Sequence, residues 1–159
     1  MRVIAVVEEK EGPLAAALTN SVGNLAHVVR PQQQPGEYDI VVWAQNPSPR
    51  QSLSLRAKAL AVCGENAADA LAHCTCGVVV TYGFSLRDTL TPSATLGEGQ
   101  VLSLQRGIVT LDGAAVEPME IPVNRLSGEM ETRMAVAAVR LLLGADENND
   151  KSAANISFS

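Results

Sequence analysis

GVVVTYGFSLRDTLTPS, residues Gly77–Ser93, is the stretch where one kind of architecture gives way to another. Before Tyr82, short and continuously apolar runs alternate with helix-like segments. After Ser85 the pattern alternates residue by residue, rich in turn signals, with no helical period until Glu129. Continuous β-branched runs between turn residues are the mark of strands buried on both faces of a parallel sheet, whereas strict alternation marks antiparallel strands with one face covered. The chain therefore crosses from α/β into β within this stretch.

Working back from Gly77, four more apolar runs are read as strands: Arg2–Glu8, Leu25–Arg30, Tyr38–Ala44 and Ala59–Cys63. Between the first two, Gly12-Pro13 opens a helix in which Leu14, Leu18 and Val22 recur every four residues. Proline is favourable at a first helical position because its missing N–H would have had no partner, and Gly23 is placed to stop the helix. PQQQPGE, residues 31–37, has nothing to contribute to a core and is read as a surface connection. Gln45–Pro49 is a break, Ser52–Ala57 is read as one or two helical turns, and Glu65–His73 as a short alanine-rich helix. Strand, helix, strand, repeated, implies crossovers and a largely parallel sheet.

Working forward, Leu90–Leu96 alternates. Pro92 cannot donate to a ladder, which places that strand at an edge or a bulge. Gly97-Glu98-Gly99 turns it back into Gln100–Arg106, and Asp112-Gly113 is a hairpin signal between Ile108–Leu111 and Ala115–Glu117. Glu129–Leu143 is the strongest helix, with Ser127 available as cap, acidic residues in the first turn and Gly144 beyond its end. Met130, Met134, Ala137 or Ala138, and Leu141 share a face that reads as core packing. The expectation is an α/β fold: a mostly parallel sheet with flanking helices, an appended antiparallel β-meander and a C-terminal helix. It forms one domain over residues 1–144, in which the parallel sheet and its helices take up 1–84, the meander 85–123 and the last helix 129–143, with 145–159 a disordered tail.

Composition narrows the partners. Twelve Lys and Arg against seventeen Asp and Glu leave a formal charge of −5, and the cations are scattered singly, so there is no concentrated basic face for nucleic acid. No apolar run approaches the roughly 18 to 20 residues that span a bilayer, and RVIAVV follows Met1 without the basic flank and cleavage site of a signal peptide. A membrane is not expected as partner, and the expected location is the cytoplasm. Three cysteines are too few for a disulfide framework. With two Phe, two Tyr and one Trp, any ring-stacking site has chiefly Trp43, Tyr82 and Phe84 to draw on.

Gly77–Ser85 resembles the segment that closes the central, ATP-binding domain of the Mur ligases and folylpolyglutamate synthases. In that family an apolar strand ends in a Tyr-Gly or Phe-Gly pair, hairpins follow, and a helix begins Gly-x-His-Asn-x-x-Asn-Ala-x-Ala-Ala. Here the strand is VVVTYGFS, and the helix opens Gly128-Glu129-Met130-Glu131-Thr132-Arg133-Met134-Ala135-Val136-Ala137-Ala138. Upstream, Ala61-Val62-Cys63-Gly64-Glu65-Asn66 stands where the family has a strand ending in Asn-Ala-Asp-Asp. The resemblance covers roughly Ala57–Gly144. Its identifying polar residues have changed: Cys63 stands for the adenine-contacting Asn, and Met130, Glu131 and Met134 for the His and both Asn of the helix. No Gly-x-x-x-x-Gly-Lys-Ser/Thr occurs, and Glu8-Glu9-Lys10-Glu11 follows the first strand where backbone N–H groups would cradle phosphate. The resemblance thus implies a trimmed central domain in a bacterial context, without the ligase reaction.

Candidate sites are few. Tyr82, Phe84, Arg87 and Asp88 follow the carboxyl end of the fifth strand, where parallel sheets bind ligands, and offer an aromatic platform, a cation and an anion. Packing at the junction between sheet and meander is their alternative role. Asp39 and Glu65 are further acids near strand ends or loops, read as solvated or capping groups. Cys63, His73, Cys74 and Cys76 combine zinc-ligand chemistries, but only one compact cysteine pair exists, so they are read as buried small hydrophobes and a surface histidine, with metal or redox as the alternative. His27, inside an apolar run, is read as a hydrogen-bonded core or edge histidine. Ser85 and Ser93 have no histidine and acid to orient them, so no catalytic residue is assigned. The apolar faces of Leu102, Leu104 and Ile108 could dock a partner. The expectation is a non-catalytic binding or assembly module, without cofactor, whose partner is another protein or a second copy. The alternatives are a small-ligand or nucleotide binder using the crevice at Tyr82–Asp88, or a metal or redox site at the cysteines.

Overall fold

The computed structural model describes residues 1–9, 12–31, 36–44, 54–93 and 101–144. The expected Gly97–Gly99 turn, the break at Gln45–Pro49, most of the PQQQPGE connection and the tail at 145–159 lie outside the described residues. Six strands run parallel: β1 (Arg2–Val7), β2 (Ala26–Val29), β3 (Gly36–Trp43), β4 (Leu55–Cys63), β5 (Cys74–Tyr82) and β6 (Leu90–Pro92). Two more, β7 (Val101–Leu104) and β10 (Glu120–Pro122), extend the sheet with antiparallel pairings, giving the order β10-β7-β6-β5-β4-β3-β1-β2. The hairpin of β8 (Ile108–Val109) and β9 (Ala115–Val116) forms its own small sheet around the turn that ends at Gly113, whose φ of 91° only glycine adopts readily.

Helix α1 (Leu14–Val22) buries Leu14, Leu18 and Val22 on one face of the sheet, beside α3 (Met130–Leu143). In α3 every residue from Met134 to Val139 is buried, four of them Ala or Met, so the helix lies close to both α1 and the strands. Gly144 closes it with φ 73°, as a left-handed C-terminal residue does. Its N-cap is Glu129 and not Ser127, and no side chain caps it. The opposite face of the sheet packs around Trp43, Leu60 and Val62 with α2 (Ala67–Leu71), shorter than the helix expected over Glu65–His73.

The helical turns expected at Ser52–Ala57 are not there: Leu55–Ala57 belong to β4, and Ser52 and Leu53 lie outside the described residues. Leu55 and Ala57 are buried while Arg56 and Lys58 are exposed, a period of two, and the run continues the ladder between β3 and β5. Pairing skips Asp39, Lys58 and Gly77, one residue on each of three neighbouring strands. Across that line the side chains change face: Tyr38 and Ala57 pack with Trp43, whereas Ile40 and Ala59 pack with α1 and α3. The register is unshifted across that line, Tyr38 with Ala57 and Ile40 with Ala59, and Ala57 with Cys76 and Ala59 with Val78, so no residue is inserted and the three strands change face together. Trp43 is level with Val62, and His73 lies next to Leu55, about 23 Å lower in a straight strand, yet the two rings stack with centroids 5.7 Å apart.

Pro92 meets its constraint in an unexpected way. β6 is interior in the order, but it pairs with β5 only through Leu90, so Pro92 lies past the end of β5 and faces β7 alone. Leu102, Leu104 and Ile108, which from sequence could dock a partner, are instead buried in the core cluster that includes α3: β7 continues the main sheet, and Ile108 of the separate β8–β9 hairpin packs into the same cluster.

At that line, Asp39 accepts the Val3 N–H at 2.8 Å and meets Arg2 at 3.3 Å and Lys58 at 3.4 Å. It stands within the sheet and not at a strand's carboxyl end. Burial pushes its carboxyl upward, but the Val3, Arg2 and Lys58 partners together outweigh this and hold it below its ordinary value of 3.8. A carboxyl with a depressed folded pKa contributes stability above its unfolded pKa and loses it as pH falls through the folded value. Asp39→Asn is therefore expected to lower the urea midpoint at pH 7 and to narrow its gap to wild type as pH drops below about 4. Parallel pH–stability curves for the two proteins would contradict this role.

Candidate functional site

The sheet order reverses direction between β1 and β3, since β2 lies on one side of β1 and β3 and β4 on the other. In a doubly wound sheet the crevice outside the carboxyl ends of the strands at such a point is where ligands bind, and the N-terminus of the helix after β1 is where an anion sits. Here that position is filled by the chain itself. Glu8, the residue after β1, turns its carboxylate onto α1: Oε1 accepts the Leu14 N–H and Oε2 the Ala15 N–H, each at 2.9 Å. Arg30, just past β2, donates to Oε2 at 2.9 Å and also reaches the carbonyls of Glu9 and Gly12. The Glu8 side chain is only 3% exposed. Pro13 occupies the N-cap and supplies no side-chain cap, so Glu8 does the capping from six residues upstream. Gly12 is required beside it, because a Cβ there would collide with Glu8 Oε1.

The N-terminus of α3 points at the same end of the sheet and is likewise acidic, with Glu129 at the cap and Glu131 in the first turn. A hollow of about 220 Å³ lies between the two helix starts, lined by Glu8, Leu14, Ala44, Tyr82, Glu129 and Glu131. Glu131 also borders a larger cleft of about 410 Å³ beyond β4 and β5, lined by Cys63, Glu65, Phe84, Arg87 and Asp88.

The four candidates after β5 separate into two roles. Tyr82 is 1% exposed and sits in the core, its hydroxyl donating to the Trp43 carbonyl at 3.4 Å; burial, with Cys63 and Glu131 nearby, pushes its pKa up. Phe84, 65% exposed, stands on the cleft rim with Arg87. Asp88 is buried and organises the loop: Oδ2 accepts the Ser85 N–H at 3.1 Å, and the Asp88 N–H returns to the Ser85 carbonyl at 3.0 Å. Gly64 and Gly83 make room for that carboxylate, since a Cβ at either would run into it. Of the three rings available for stacking, Trp43 is used on His73 and Tyr82 in the core, which leaves Phe84.

The cysteines are divided by the sheet. Cys63 packs on the α1–α3 face at the carboxyl end of β4, whereas Cys74 and Cys76 lie on the other face at the start of β5. No three His, Cys, Asp or Glu side chains among the described residues are grouped to hold a metal ion. Burial raises all three thiols, Cys74 to about 12, and Glu65, Asp88 and Glu131 push Cys63 further. These are protonated thiols, poor nucleophiles and poor ligands. His27 is exposed on the edge strand β2.

Sequence reasoning placed an acidic run after the first strand but did not find the cap, because the bond spans six residues and leaves the local N-cap pattern empty. The available signal was Gly12-Pro13 preceded by a glutamate that had no other reason to be buried. Replacing Glu8 by Ala leaves two helix N–H groups and Arg30 without their acceptor, and is expected to cost about 2 to 4 kcal/mol of unfolding free energy. Arg30→Met, which removes a half-exposed partner, should cost about 1 kcal/mol or less, and the double variant should lose less than the sum. Additive losses in urea titrations would show that the two residues do not act together.

The family models, the curated proteins and the solved structures contain no match to this chain.

Proposed function

We propose that the chain is a non-catalytic α/β domain that works as a binding or assembly module in the cytoplasm, a trimmed relative of the Mur-ligase central domain without its nucleotide chemistry. One observation carries the reading: the Glu8 carboxylate occupies the helix N-terminus where a nucleotide's phosphate would have to sit. A triphosphate would have to displace an internal anion already held by two backbone N–H groups and Arg30, and would meet Glu129 and Glu131 across the hollow. Like charges facing one another across the hollow disfavour binding.

The cleft of about 410 Å³ favours a second reading, binding of a small ligand. Its lining of Glu65, Asp88 and Glu131 against the single cation Arg87 suits a cationic or neutral molecule better than a nucleoside phosphate. Metal or redox sensing through Cys63, His73, Cys74 and Cys76 has less to support it, since these groups lie on different faces and their thiols are held protonated.

A thermal-shift panel of nucleoside triphosphates and nucleotide sugars tests the leading reading. No saturable stabilisation is expected. A nucleotide present at about 100 times its dissociation constant would add about 2.7 kcal/mol, an unmistakable rise in melting temperature that would overturn the reading.

A further inference from the structure

The loop from Gly83 to Thr89 carries the two most exposed large apolar side chains among the described residues after Met1: Phe84 at 65% and Leu86 at 80%. Its backbone is tied at both ends and across the middle. Gly83 N–H donates to the Leu90 carbonyl and Thr89 N–H to the Thr81 hydroxyl, each at 3.1 Å, and Ser85 Oγ accepts the Arg87 N–H at 3.1 Å. The buried Asp88 carboxylate pins Ser85 from beneath. A partner therefore meets apolar side chains on a backbone already held in place, and little backbone ordering entropy opposes contact. Exposed Phe and Leu on a braced loop are the kind of anchor on which interface energy concentrates.

Beside the loop opens the cleft with Glu65 and Glu131 on its walls. Neither glutamate is in an ion pair among the described residues. Three carboxylates, Glu65, Asp88 and Glu131, line the cleft against one cation, Arg87. We infer that rim and cleft form one docking surface for a protein segment that lays apolar side chains on Phe84 and Leu86 and places a lysine or arginine side chain in the cleft against Glu65 and Glu131. Charge selects this occupant. An acidic or phosphorylated segment, or an anionic membrane surface, would be repelled by the cleft and by a chain of net charge −5. Phe84 lines the same cleft, and an aromatic ring there adds attraction for a cation.

This inference rests on the non-catalytic reading and names the partner's chemistry. The test is fluorescence anisotropy on the full chain with two short labelled peptides, one alternating lysine with leucine and one alternating glutamate with leucine, and with an unlabelled alkyl diamine as competitor. The lysine peptide is expected to bind in a salt-sensitive manner. Phe84→Ala with Leu86→Ala, and separately Glu65→Gln with Glu131→Gln, should each weaken it about tenfold. Glu117→Gln with Glu120→Gln, exposed glutamates in and near β9 and β10, should leave it unchanged. Melting curves establish that each variant is folded. Equal binding of the glutamate peptide, equal loss in the Glu117/Glu120 control, or no binding up to about 1 mM would overturn the inference. Competition by the diamine at the peptide's own affinity would overturn it in favour of a small-cation pocket. Stabilisation by nucleotides would instead remove the non-catalytic reading itself, so the two failures are distinguishable.

Discussion

The carboxylate of Glu8 on the first two N–H groups of α1 is the constraint to which the rest of this end of the molecule is fitted. It joins β1 to α1 without a local cap, and Arg30 draws β2 into the same knot. Gly12 exists to let the carboxylate approach. Since both oxygens are used, the charge is fully engaged and nearly dry, a costly arrangement unless every partner is kept. The functional consequence follows from electrostatics alone: the strongest anion site that a doubly wound sheet offers is already taken.

What remains open at the carboxyl ends of the strands is therefore acidic. Glu129 and Glu131 stand at the start of α3, Glu65 follows β4, and Asp88 lies under the loop after β5. Arg87 is the one cation and Phe84 the one aromatic ring lining the larger cleft. A cleft built this way discriminates by charge before it discriminates by shape. That links a sequence feature, glutamates where a phosphate loop would carry glycines, to the class of molecule that can approach.

The parallel half of the fold was legible because its strands are continuous β-branched runs and its long helix has a clean apolar face ending at Gly144. The change of period after Ser85 marked the meander for the same reason. Three things were hidden. Leu55–Ala57 looked helical because the strand's alternation there is carried by only Leu and Ala against Arg and Lys, and because the side chains change face between Ala57 and Ala59, which shifts the phase of the pattern. The burial of Leu102, Leu104 and Ile108 depends on β7 joining the main sheet and on the β8–β9 hairpin packing into the same cluster, both non-local choices. The site residues Phe84, Arg87 and Asp88 could be picked out from their position after the fifth strand. Tyr82's turn into the core could not, since it depends on Trp43 far along the chain, and Glu8's cap was missed because its bonds span six and seven residues and leave the local N-cap pattern empty.

The central claim is that the side chain of Glu8 stands in for a bound anion. Chemical rescue tests it most directly: the melting temperature of Glu8→Ala measured against increasing acetate or phosphate, beside wild type in the same series and in chloride of matched ionic strength. The variant should be stabilised saturably by the oxyanions as they enter the vacated α1 N-terminus, and wild type should show only the chloride-like response. Equal responses from the two proteins, or no rescue of the variant by either oxyanion, would contradict the claim.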